Sequence, residues 1–157
     1  MDSYLTVKLI HIIAAVVVAG TGSGIAFFML MAVKSKEPQV IRVICRHVVL
    51  ADWLFTAPAV VIQLISGLYL MELLGYSFTS PWFAAVISLF IFIGICWLPV
   101  IIIQYKLRKL SAEKSFRLDS SLKFQQLFKR WIFLGIPAFT AILILFWLMV
   151  FKPLAVT

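Results

Sequence analysis

The chain has 157 residues, of which 64% are apolar and only 13% charged, against about 45–50% and about 25% in soluble domains. That composition excludes a water-soluble fold, and at about 20 apolar residues per bilayer-crossing helix it caps the number of spans at five. The formal net charge of +8 is accounted for by membrane topology, with anionic lipid as an added attraction, and calls for no nucleic-acid partner.

Four runs avoid charge altogether: 9–33, 53–71, 73–105 and 131–151. An ionised side chain at the bilayer centre costs several kcal/mol, so such runs mark the spans. The first follows a weakly basic start, outruns a signal-peptide core and ends in Lys34-Ser35-Lys36, which reads as a retained helix. The third contains the polar turn 75–81, so its helix is expected near Trp82, with Pro81 in the first turn. Spans are predicted over about 5–33, 48–71, 82–105 and 131–151, joined by connections 34–47 and 106–130. Within the second connection Leu118, Leu122, Phe124, Leu127, Phe128 and Trp131 recur at roughly helical spacing. The last helix is therefore expected to start before the membrane, with Asp119 or Ser120 as cap and Trp131 as an interfacial anchor. Alternation of the β-barrel kind is absent. The reading is a single all-α domain, an up-down-up-down transmembrane four-helix bundle.

Twelve of the fourteen basic residues fall in the two longer connections, and none falls in 72–81. The positive-inside bias then places both connections in the cytoplasm and both termini outside, in a bacterial inner membrane. Cys45 and Cys96 fit no C-x-x-C or zinc pattern and read as unpaired small hydrophobes.

Two polar groups stand out against this apolar background. Tyr4, Lys8, His11, Ala15, Val18 and Gly22 share one helical face. An imidazole beside small residues suits a metalloporphyrin: His11 would ligate iron, Ala15 and Gly22 would leave room for the ring, and Lys8 would meet a propionate. The alternative is that Lys8 snorkels to the headgroups and His11 bonds a neighbouring helix. The pattern Gly20-x-x-x-Gly24 fits either a close helix contact, a dimer seam or a cofactor slot. Counting about 1.5 Å per residue inward places Gln63, Ser88 and 144–147 at the depth of His11. Gln63 or Ser88 could therefore satisfy its second nitrogen. His47 lies about 20 Å away by the same count, too far to share one haem. At the inner end Asp52 is expected to pair with Arg130, His47 or Arg46.

The run 4–13, with Tyr4, Lys8 and His11, followed by Gly20 and by the closing Lys152-Pro153-Leu154, resembles the HemJ-type protoporphyrinogen oxidases. The segment Ala51-Asp52-Trp53-Leu54-Phe55-Thr56-Ala57-Pro58, with Gln63, Gly67-Leu68-Tyr69-Leu70, Trp97-Leu98-Pro99 and Phe146-Trp147-Leu148-Met149, is more similar to a family of small bacterial four-helix membrane proteins of unknown function. The HemJ-type resemblance implies haem b on His11, self-association into a homo-oligomer and a redox role in haem biosynthesis. Where that family carries a lysine in the third helix and an Asn-Glu pair in the fourth, this chain has Phe83-Ala84-Ala85-Val86 and Phe133-Leu134-Gly135-Ile136. Porphyrinogen oxidation is therefore not carried over. The expected function is a b-haem redox protein exchanging electrons with a membrane partner, quinone or porphyrin; the alternative is a non-enzymatic accessory or scaffold subunit with a structural His11. No Ser-His-Asp, paired-carboxylate or phosphate-loop pattern suggests another chemistry.

Overall fold

The computed structural model describes residues 3–152 and is helical throughout its ordered elements. Helix α1 spans Ser3–Ser35, α2 Pro38–Ala51, α3 Ala57–Leu73, α4 Pro81–Ser111 and α5 Leu122–Phe151, with a π-helical turn, Asp52–Thr56, joining α2 to α3. Pro38–Leu73 thus forms one continuous span, and with α1, α4 and α5 it makes four helices among the described residues that are long and apolar enough to cross a membrane. Side chains such as Val16, Ile65, Phe133 and Val150 are more than half exposed, as expected of surfaces facing lipid rather than water.

The helices run beyond the apolar runs at the basic end. Only Lys36 and Glu37 separate α1 from α2, and α4 continues to Ser111, so most of the two expected connections is helical. The proline signals are obeyed: Pro38 and Pro81 sit in first turns, where a missing N–H costs nothing. Pro58 explains the π-helical turn. Its ring would collide with the carbonyl four residues back in a regular α-helix; here the chain widens, and the Ala57 N–H reaches the Asp52 carbonyl, five residues back.

The cap of α5 is Ser121, whose hydroxyl accepts from the Phe124 N–H at 3.4 Å, in place of the expected Asp119 or Ser120. Asp119 instead forms an exposed ion pair with Lys36 at 3.9 Å. Trp131 also departs from expectation. It is 6% exposed and stacked on Phe128 within the core, not displayed at the interface. Both cysteines are free and buried.

Packing is uneven along the bundle. The main apolar core lies in the half nearer the basic connections, where Met29, Ile41, Cys45, Leu107 and Phe124 are fully buried and Phe116 and Leu118 fold over them. In the other half α3 packs on α1, and α4 on α5, but neither α4 nor α5 forms a packed interface with α3. Specific polar ties hold that end. Trp82 is buried and its Nε1 donates to the Leu148 carbonyl at 2.9 Å, fixing the start of α4 to the end of α5. Lys152, in the left-handed conformation at the end of α5, donates to Tyr76 Oη at 3.0 Å. Pro153 and Leu154, part of the closing motif, lie outside the described residues.

Candidate functional site around His11

The histidine belongs to the α1–α3 pair. Its Nδ1 lies 2.9 Å from Ser66 Oγ and its Nε2 2.9 Å from Gln63 Nε2. Proton counting orders the chain of bonds. The Ser66 hydroxyl donates to the Ile62 carbonyl at 2.6 Å, so it accepts from His11 Nδ1–H, and Nε2 then accepts from the Gln63 amide. The imidazole is thereby oriented through one nitrogen, and the lone pair of the other faces a single side-chain amide. Gly67 makes the approach possible, because a Cβ there would stand 3.1 Å from His11 Cε1.

Depth along the helix points to Gln63; Ser66, three residues further on the same face, carries no such signal by depth alone. Ser88 has the right depth but the wrong direction. It is exposed on α4, which forms no packed interface with α1, and both His11 nitrogens are taken by α3. Lys8 is exposed, with Nζ 5.4 Å from the centre of the Tyr4 ring. Ala15 and Gly22 are half-buried on α1. A Cβ at Gly20, Gly22 or Gly24 would meet nothing within 4 Å, so the Gly20-x-x-x-Gly24 face is not a close contact inside this chain. It remains open for a seam or a slot.

A haem ligand needs one imidazole nitrogen free and the other N–H held by a fixed acceptor. Here Ser66, itself anchored on Ile62, holds Nδ1–H. Nε2 becomes available if the Gln63 amide turns aside, and Gln63 Oε1 is a buried atom without a hydrogen-bond partner. The residues present fit the group on that condition. Among the described residues no cluster of three His, Cys, Asp or Glu side chains is assembled, and His47 is exposed on α2.

The expected ion pairs of Asp52 are not formed. Arg46, His47 and Arg130 are exposed, whereas Asp52 is 5% exposed and faces Thr56, Gln104 and Trp97. The reason is rotation about the helix: at about 100° per residue, positions five and six residues before Asp52 lie on other faces. Neutral polar groups therefore surround this carboxyl, and Asp52 Oδ2, Thr56 Oγ1 and Gln104 Oε1 have no hydrogen-bond partner within normal distance. Asp52, Thr56, Ala59, Gln63 and Ser66 form a stripe along one face of the π-helical turn and α3, ending at His11.

No curated protein and no solved structure matches the chain. The similarity found is at family level and covers residues 5–153. It agrees with the all-helical, four-span structure, and the chain belongs to the DUF2269 family of predicted integral membrane proteins.

Proposed function

We propose that this protein is a b-haem-binding redox protein of the bacterial inner membrane, with both termini outside, exchanging electrons with a membrane partner, a quinone or a porphyrin. The observation that carries the reading is the bond chain from His11 Nδ1–H through Ser66 to the Ile62 carbonyl. It orients an intramembrane imidazole as a ligand is oriented, and ionisable residues at such depth are functional candidates by default. The haem, when bound, supplies one-electron chemistry. The chain's own residues hold and orient His11, offer Lys8 to a propionate, and keep the glycine face of α1 free of side chains.

Purified protein should show a b-type absorption spectrum in its oxidised and reduced states. His11→Ala should abolish haem retention, whereas His47→Ala should leave it largely intact. Lys8→Ala should weaken retention only partly, since one charge-assisted contact is worth about 1.5–3 kcal/mol. A reporter active only in the periplasm should give signal when fused to the C-terminus; signal from a cytoplasmic reporter alone overturns the orientation.

A second reading is favoured by Gln63 and Gly67, which close around the ring as a helix-to-helix pin requires. In it the protein is a non-enzymatic accessory subunit and His11 joins α1 to α3. Wild-type protein that stays colourless with haem in ample supply, yet loses stability in His11→Ala, decides for the pin.

A further inference from the structure

At the basic end, a hollow of about 510 Å³ opens between α4 and α5. Lys106 and Lys109 from α4 and Lys123 and Arg130 from α5 line it, with Leu110 and Leu127 as apolar wall and Glu113 as the one carboxylate. None of the four cations is paired, for among the described residues the single ion pair is Lys36 with Asp119. The helix ends sharpen the balance. The first turn of α5, capped by Ser121, contributes its positive pole. Arg42 covers the last carbonyl of α4, at Ser111, and the Glu113 carbonyl just past the helix, donating to them at 2.9 and 3.0 Å.

A second hollow of about 440 Å³ adjoins the first and shares Lys106 and Lys109 with it. Its other walls are Ile102, Tyr105, Ala112 and a third cation, Arg108. Ile102 and Tyr105 precede the lysines on α4 and so lie deeper in the span. Cations crowd the surface side of both hollows while Ile102 and Tyr105 form the inward side of the second, which is the polarity of an amphiphile.

We propose that these two hollows form a binding site for a net-anionic phospholipid, its phosphate held by Lys106, Lys109, Lys123 and Arg130 and its acyl chain laid along Ile102 and Tyr105. The two-part shape separates this from free phosphate, which fills only the first hollow. Basic pockets between spans at the cytoplasmic surface are suited to anionic headgroups, and the twelve-residue positive bias supplies the side of the membrane. The assignment is independent of what His11 binds.

The test uses the full-length protein in nanodiscs of phosphatidylcholine with and without phosphatidylglycerol, followed by native mass spectrometry of retained lipid. Wild type should retain phosphatidylglycerol preferentially at physiological salt. The double variant Lys106→Gln, Lys109→Gln should retain about tenfold less or lower still. The control Lys34→Gln, Arg46→Gln removes equal charge from exposed residues at the same end and should retain as much as wild type. Equal loss in the control, or no preference in wild type, overturns the site. Inorganic phosphate that protects wild type against unfolding as well as phosphatidylglycerol does would overturn the lipid assignment. Should the double variant fold poorly by circular dichroism, the wild-type comparison of phosphatidylglycerol with inorganic phosphate still decides.

Discussion

The two ends of this bundle are held together by different physics. Near the basic connections, Phe116, Leu118 and Phe124 cover a core reaching from Ile25 to Trp131, in a region where chain leaves the bilayer and water exclusion contributes. At the other end lipid is as apolar as the helices, so burial of leucine or phenylalanine gains little. There the helices meet as two pairs, α1 with α3 and α4 with α5, joined by individual hydrogen bonds at His11, Trp82 and Lys152. One end is a packed core; the other is an assembly of pins, and pins can be exchanged for ligands.

The contrast can be broken most sharply at Phe124, which is fully buried and 5.0 Å, centre to centre, from Phe116. Phe124→Ala should cost about 3–5 kcal/mol in a reversible unfolding titration. Phe133→Ala, at a residue 78% exposed on the same helix, should fall within about 0.5 kcal/mol of wild type. Similar losses for the two would mean that the inner core is not where stability resides.

At the pinned end smaller effects are expected. His11→Ala should lose about 1–2 kcal/mol, since intramembrane side-chain hydrogen bonds average about 0.6 and reach about 1.7 kcal/mol each. Gly67→Ala should move the imidazole, because its Cβ would stand at 3.1 Å from the ring. Gly22→Ala, with open space beside it, should leave the imidazole resonances unchanged. Equal perturbation by both alanines in NMR spectra would refute the close fit of His11 against α3. Smallest is the effect expected at Asp52, which faces neutral partners. Asp52→Asn should retain yield and thermal stability better than Asp52→Leu, which leaves Gln104 and Thr56 facing an apolar side chain.

Depth was legible in the sequence and facing was not. Each charge-free run falls at least in part within one of the four helices long and apolar enough to cross a membrane, and counting residues inward put Gln63 at the level of His11, where the structure has it bonded. The same count put Ser88 at that level and brought Arg46, His47 and Arg130 near Asp52, but those side chains point elsewhere. Helices that are apolar all round carry no stripe to reveal which side meets a neighbour. Trp131 illustrates the consequence: an aromatic at a membrane boundary reads as an anchor, yet here it turns inward onto Phe128. Ser66 could have been found by extending the spacing from Asp52 through Thr56 and Gln63, a periodicity legible without any apolar contrast.

The widened turn before Pro58 makes the second span behave as a screw with one thread cut to a different pitch. Its two ends are geared: were the turn to tighten to α-helical pitch with the chain length unchanged, everything beyond it would twist by about 100°. Gln63 and Ser66 would then swing away from His11, releasing Nε2. The same tightening would lengthen the span by about 1.5 Å, because each residue of α-helix adds rise together with rotation. Pro58→Ala, which restores an N–H and removes the ring that holds the thread open, should loosen both imidazole bonds; His11 resonances identical to wild type would show that the gearing is locked.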